Sequence, residues 1–108
     1  MDRLFIYGTL GPGKPNENIL NQIGGNWEKA YVRGKLFEEG WGAKMGSPGI
    51  RLAEDSGMVN GHLFISENLK DHWKELDEFE GEAYKRVKTK STLEVTGNEV
   101  EAFIYVLK

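Results

Sequence analysis

The chain has 108 residues, 39% of them hydrophobic, so a single domain over residues 1–108 with one packed core is expected. Its 14 basic and 17 acidic side chains give a formal net charge of −3, which argues against a nucleic-acid partner. The sequence contains no cysteine, which excludes disulfides, cysteine nucleophiles and thiolate metal sites.

Apolar stretches are short throughout the chain. The longest uninterrupted one is Ala102–Leu107, whereas a bilayer span needs about 20 residues. The apolar stretch within Met1–Gly8 is also shorter than the roughly 7–15 residues of a signal-peptide core. We therefore expect a cytoplasmic protein without a membrane partner, and the oligomeric state is left open.

The N-terminal third is predicted to form a strand, a loop and a helix. Leu4–Tyr7 is apolar on both faces, as in a strand that is covered on both sides. Gly8–Pro15 is rich in glycine and proline and predicts a loop. Asn16 is expected to cap a short helix over Glu17–Ile23.

Alternating hydrophobicity predicts the next strands, over Ala30–Phe37 and Val59–Ile65. Between them, Glu38–Gly49 is rich in turn residues, and Ile50–Ala53 is a candidate short strand. Gly34 and Gly61 lie on the inward faces of the two long strands. They indicate either sheet bends or bulges, or space cleared for a ligand.

Two further strands, Tyr84–Val95 and Glu99–Leu107, are predicted to form a hairpin around Thr96–Asn98. With a second helix before them, the element order is β-α-β-(β)-β-α-β-β. Too few helices are available for an alternating βαβ design. The predicted fold class is therefore α+β, a small mixed β-barrel of five or six strands flanked by two helices.

The glycine-rich loop resembles a phosphate-binding P-loop but fails at Pro15, where that motif needs Ser or Thr to reach Mg²⁺. Glycine after a buried strand nevertheless lets a ligand approach the backbone. The amides of residues 8 to 10 are therefore candidates for an anion-binding nest. The alternative is an ordinary strand-to-helix loop.

The second helix is predicted from Glu67, capped by Ser66, to about Glu80, where Gly81 ends it. With Leu69 set at zero and about 100° per residue, Trp73 falls near 40° and Glu80 near 20°. Glu80 thus lies within the apolar stripe, where burial disfavours its charged form. A carboxyl group with a raised pKa suits a general acid/base, unless the helix frays and Glu80 reaches water.

The other candidate residues carry weaker signals. His62 and His72 share no ligand spacing, so no metal site is predicted. Tyr84 and Arg86 follow Glu80 on one face of a strand, and Tyr105 lies in the last strand. These three side chains are candidates for lining a ligand pocket or for capping the core.

Several segments together resemble the γ-glutamylcyclotransferase-like (AIG2-like) family, and are most similar in pattern to its short γ-glutamylamine cyclotransferases and their bacterial counterparts. The segments are Tyr7–Leu10, Val32–Leu36, Val59–Phe64, Leu76–Gly81 and Tyr84–Arg86. The resemblance covers nearly the whole chain. The chain is shorter than its longer relatives around residues 38 to 57 and after the last strand, which leaves the leaving-group specificity open.

The resemblance implies a small barrel flanked by helices, with no cofactor. It implies that Tyr7, Gly8, Thr9 and Leu10 hold a γ-glutamyl or 5-oxoproline group, chiefly through backbone amides, and that Glu80 is the general acid/base. The implied partner is a small-molecule γ-glutamyl amine or amide, which would cyclise to 5-oxoproline. The rival interpretation is a non-catalytic module that binds a small carboxylate-bearing metabolite in the same pocket.

Overall fold

Six strands and two α-helices follow one another in the residues that the computed structural model describes, which are 2–8, 10–37 and 49–108. A 3₁₀ turn at Leu69–Asp71 precedes the second helix. In chain order the elements are β1 (Asp2–Ile6), α1 (Glu17–Ile23), β2 (Asn26–Phe37), β3 (Gly49–Leu52), β4 (Met58–Ser66), α2 (Trp73–Glu80), β5 (Tyr84–Leu93) and β6 (Glu99–Leu107).

Five of these described strands close into a barrel in the order β2-β4-β1-β6-β5, because β5 pairs back onto β2. The closing pairs join Ala30 to Leu93 and Tyr31 to Thr92. β1 and β6 run parallel, whereas the other neighbours are antiparallel. β3 extends the sheet beyond β2. The predicted mixed barrel with two helices is therefore confirmed.

The two faces of the barrel wall bury different sets of apolar side chains. On β1, Phe5 belongs to a cluster supplied by strands, whereas Leu4 and Ile6 belong to a cluster that includes residues of both helices. Since neighbouring side chains of a strand point to opposite faces, the first cluster fills the barrel and the second lies between the barrel and the helices. The second cluster contains Leu76, one turn before the end of α2.

Gly34 and Gly61 are sites of close backbone approach rather than bulges or ligand space. The pairing register gains no extra residue at either position. A Cβ atom on Gly34 would lie 2.7 Å from the carbonyl oxygen of Arg51. A Cβ atom on Gly61 would overlap the carbonyl oxygen of Ile6 and come within 2.7 Å of the Phe5 ring. Neighbouring strands thus occupy the space that either side chain would need.

The predicted second helix is interrupted, which is a correction. Ser66 ends β4, and its Oγ accepts a hydrogen bond from the Asn68 amide (3.0 Å) and donates one to the Gly24 carbonyl (2.5 Å). Asn68 also donates its Nδ2 to the Ile23 carbonyl at 3.0 Å. These side-chain bonds tie the segment to the end of α1 and compete with helical backbone bonds. The α-helix therefore begins only at Trp73.

Other predicted boundaries shift by smaller amounts. Asn16 makes no capping side-chain hydrogen bond, and Glu17 Oε2 instead accepts from the Gly13 amide at 3.0 Å. β1 ends at Ile6, one residue before the predicted end. β5 ends at Leu93, because the Gly97 amide donates to its carbonyl (2.9 Å) and closes the hairpin turn. The predicted turn-rich stretch over residues 38–48 lies outside the described residues.

Candidate functional site

Glu80 is the last residue of α2, and its carboxyl group lies on the buried side of the helix. Leu76, one turn earlier, is 1% exposed, and Glu80 itself is half-buried. Burial raises the pKa of Glu80 from 4.5 to about 7. Burial removes water, and water stabilises the charged carboxylate more than the neutral acid. The direction of this shift is the one that the helical pattern predicts, although the helix is shorter than expected.

Tyr7 directly follows β1, and its hydroxyl is hydrogen-bonded to two other strands. Its hydroxyl donates a 2.6 Å hydrogen bond to the Tyr105 carbonyl and accepts one of 3.2 Å from the Ile50 amide. Burial is the main cause of a raised pKa of Tyr7, and the charge of Glu80 acts in the same direction. This phenol thus joins β1, β3 and β6 at the end of the barrel where Glu80 lies.

Asp77, which the sequence analysis did not single out, lies between Tyr105 and Arg86. Its Oδ1 accepts a 2.6 Å hydrogen bond from the Tyr105 hydroxyl and lies 3.4 Å from Nε of Arg86. Burial and this hydrogen bond raise the pKa of Tyr105. Two signals were available in the sequence: Asp77 precedes Glu80 by three residues on one helix, and Arg86 and Tyr105 belong to strands of one predicted hairpin.

The Arg86 guanidinium also lies against two aromatic rings. Its Cζ lies 4.2 Å from the centroid of the Trp73 ring and 5.3 Å from that of Phe103. Trp73 is itself fixed by a 3.1 Å hydrogen bond from Nε1 to Oδ2 of Asp2. The Arg86 side chain is thus bound by α2 and β6, and its ion pair is with Asp77 rather than with Glu80.

The predicted ligand-binding residues line two different cavities. Tyr7 and Gly8 border one of about 420 Å³. Tyr84, Arg86 and Tyr105 border another of about 490 Å³ beside the end of α2. The structure brings Tyr7 and Tyr105 together directly through their hydrogen bond, which joins the walls of the two cavities.

A backbone hydrogen bond closes the loop after β1. Gly8 accepts a 3.2 Å hydrogen bond from the Gly11 amide and so closes a turn. Leu10 as a whole residue is 3% exposed, and its side chain belongs to the core between barrel and helices. The Leu10 side chain therefore packs within the protein and offers no binding group to a ligand. Thr9 lies outside the described residues.

Both histidines contact other side chains of the protein. His62 packs edge-on against Trp27 with ring centroids 6.2 Å apart. His72 Nδ1 lies 3.4 Å from the exposed Glu75 carboxylate. Within residues 2–8, 10–37 and 49–108, no group of three or more His, Cys, Asp or Glu side chains is arranged to hold a metal ion.

The helices in the described part of the chain are too short and too polar for any of them to cross a membrane.

The chain is similar to known proteins in both sequence and structure. It is 34% identical over 76 residues to YkqA of Bacillus subtilis (strain 168), which is named for an inferred gamma-glutamylcyclotransferase activity; the match covers 70% of this chain and 25% of YkqA. The crystal structure of YkqA superimposes with a TM-score of 0.73 at 26% identity, over 99% of this chain and 36% of that one. The chain thus spans about a quarter to a third of that relative.

A crystal structure of an AIG2-like protein from Mus musculus has the same fold, with a TM-score of 0.72 at 24% identity over 98% of this chain and 76% of that one. A protein from Pyrococcus horikoshii gives a TM-score of 0.67 at 20% identity over 99% of this chain and 78% of that one. Residues 4–108 match the family described as "Gamma-glutamyl cyclotransferase, AIG2-like". The chain therefore belongs to the gamma-glutamyl cyclotransferase, AIG2-like family.

Proposed function

We propose that this protein cyclises an L-γ-glutamyl amine or amide to 5-oxoproline and releases the free amine. The α-amino nitrogen of the substrate attacks its own γ-carbonyl carbon and forms the lactam C–N bond. The bond between that carbon and the leaving nitrogen breaks. Glu80 accepts the proton from the attacking nitrogen and returns one to the departing amine, so the enzyme ends in its starting state.

The observation that carries the proposal is the buried carboxyl group of Glu80, whose pKa is about 7. At neutral pH such a group is present as both acid and base in comparable amounts, which suits a residue that must first accept and then donate a proton. A carboxyl with an ordinary pKa would be a weaker base and almost never protonated. Proton transfer of this kind typically contributes about 10²–10⁴-fold to the rate.

The loop after β1 and the cavity beside α2 supply the binding groups in this proposal. We propose that the amides of Tyr7, Gly8, Thr9 and Leu10 hold the α-carboxylate of the substrate or the developing oxyanion. Tyr84, Arg86 and Tyr105 bind the remainder from the cavity beside α2. Folding a flexible γ-glutamyl chain into its ring-closing shape is an orientation effect, which contributes on the order of several kcal/mol.

The experiment is a panel of γ-glutamyl amines, γ-glutamyl amino acids and α-glutamyl controls, with release of 5-oxoproline measured by mass spectrometry. We expect turnover of at least one γ-glutamyl class and of none of the α-linked controls, because only the γ-carbonyl can close a five-membered lactam. Saturable binding of 5-oxoproline without turnover of any substrate would favour the non-catalytic module. Neither binding nor turnover would refute both interpretations.

A further inference from the structure

Asn16, the residue before α1, carries a buried side-chain donor without an acceptor. Its Nδ2 is the one buried side-chain nitrogen or oxygen atom among the described residues that has no hydrogen-bond partner. The side chain does not cap α1. Buried polar groups in native proteins are almost always hydrogen-bonded, because a donor taken out of water loses its bonds to solvent. A donor in this state destabilises the folded protein, so its presence indicates a role other than stability.

Asn16 ends the loop that starts at Gly8. Three successive backbone hydrogen bonds wind this loop, from the amides of Gly11, Lys14 and Glu17 to the carbonyls three residues before each, at 3.2, 3.0 and 3.2 Å. The turn at Gly8 and the segment that carries Asn16 are thus parts of one continuous series of turns.

The inner side of this loop and of α1 packs against the core between the barrel and the helices. Leu20 follows Asn16 by one helical turn and is fully buried in that core. Leu10 of the loop and Leu76 of α2 belong to the same core. Since residues four apart lie on one side of a helix, Asn16 lies on the side of α1 that packs toward this core. The buried state of its Nδ2 agrees with this placement.

The main chain in the second half of the loop has no donor left for a ligand. The amides of Gly11, Gly13 and Lys14 each donate a hydrogen bond to another group of the protein. The two remaining residues of 11–15 are prolines, which have no amide hydrogen. The Asn16 side chain therefore supplies a donor that this part of the loop otherwise lacks.

We propose that Asn16 is a ligand-binding residue, whose Nδ2 donates a hydrogen bond to a carboxylate oxygen of the γ-glutamyl or 5-oxoproline group at the loop after β1. The identity of this ligand rests on the proposed function. A side-chain NH₂ group only donates, so it selects an acceptor oxygen. The carboxylate is the strongest acceptor of such a ligand, because charged acceptors form shorter and stronger hydrogen bonds than neutral ones. Asn16 thereby adds a side-chain donor to the main-chain donors proposed for residues 7–10.

The test is the affinity of the full chain and its variants for 5-oxoproline, measured by calorimetry below the melting temperature of each. Asn16→Leu keeps a side chain of similar size but removes the donor. We expect its dissociation constant to rise at least about tenfold, since hydrogen bonds to charged groups are among the stronger ones in proteins. Asn18→Leu makes the same change at an exposed position of α1 and should leave the affinity unchanged.

The melting temperature separates ligand binding from a structural role. Removing a buried donor that has no partner is neutral or stabilising, so Asn16→Leu without ligand should melt no lower than the wild type. If it melts lower or does not fold, Asn16→Asp decides, because it keeps the shape of the side chain and replaces the donor by a carboxylate. We expect Asn16→Asp to bind 5-oxoproline at least about tenfold more weakly at neutral pH, since like charges repel.

A dissociation constant that either Asn16 variant leaves within about threefold of the wild type would overturn the inference. An equal loss in Asn18→Leu, or a wild type that does not bind 5-oxoproline, would also overturn it. The assay measures binding, so the proposed function can fail separately. Binding that requires Asn16, without turnover of any γ-glutamyl compound, would support this inference and refute the reaction. Turnover with an unchanged KM in Asn16→Leu would support the reaction and overturn this inference.

Discussion

Glu80 should titrate near neutral pH in the folded protein, well above an ordinary glutamic acid. Burial raises its pKa to about 7, whereas the Arg86 guanidinium forms its ion pair with Asp77. The midpoint of its side-chain carboxyl ¹³C resonance measures this directly. A midpoint at or below 4.5, the ordinary value, would contradict this prediction. It would mean that hydration of the carboxylate, or hydrogen bonds to it, outweigh the effect of burial.

The same shift makes stability depend on pH through this one group. Because the folded pKa lies above the unfolded value, the folded state binds more protons between about pH 4.5 and 7. The contribution of Glu80 to the unfolding free energy is therefore full below pH 4.5, falls as pH rises to about 7, and is absent above it.

Denaturant unfolding of the wild type and of Glu80→Gln at pH 5 and pH 8 measures that contribution. Since one pKa unit corresponds to about 1.4 kcal/mol, the wild type should lose on the order of 2 kcal/mol relative to the variant between the two pH values. The Gln side chain does not titrate and serves as the reference. A constant or increasing difference would contradict the sign of the shift.

At the scale of elements, the close packing of β1 against β4 requires glycine at position 61, because glycine has no Cβ atom. A Cβ atom there would overlap the Ile6 carbonyl and press on the Phe5 ring. Gly61→Ala should therefore destabilise the protein by about 1–3 kcal/mol, the range for overpacking a filled site. Thermal and denaturant unfolding measure the loss.

Gly57→Ala is the matched control for Gly61→Ala, because nothing lies within 4 Å of a Cβ atom at that position. It should be neutral or slightly stabilising, since alanine restricts the unfolded chain. Equal stability of the two variants would show that β1 and β4 can separate to admit the methyl group. That result would contradict close packing of the two strands at Gly61.

The turn after β1 is the element that we expect to bind the acidic end of the ligand. It follows a buried strand, and the Gly8 carbonyl accepts a hydrogen bond from the Gly11 amide. Crystals soaked in 5-oxoproline should show the ligand within hydrogen-bond reach of the amides of residues 8 to 10. Density only elsewhere, at saturating ligand, would contradict this assignment.

At the scale of the whole molecule, much of the architecture was predictable because local patterns and tertiary packing agree. Alternation along β2 and β4 identified both strands, and the apolar stripe of α2 identified the buried side of Glu80. Side-chain bonds of Ser66 and Asn68 broke the predicted helix, and no periodicity reports such bonds. Asp77 was missed for a related reason: its importance comes from Tyr105, which is 28 residues away in sequence.

The account of the whole molecule depends on Glu80 acting as the proton-transfer group, and its most direct test is the rate of 5-oxoproline release by Glu80→Gln. Gln is nearly isosteric but cannot accept a proton, so kcat should fall by at least about 10²-fold while the circular dichroism spectrum is unchanged. Glu75→Gln, at an exposed position of the same helix, should retain wild-type kcat. A Glu80→Gln variant that keeps more than about a tenth of wild-type kcat would contradict the assignment of Glu80 as general acid/base.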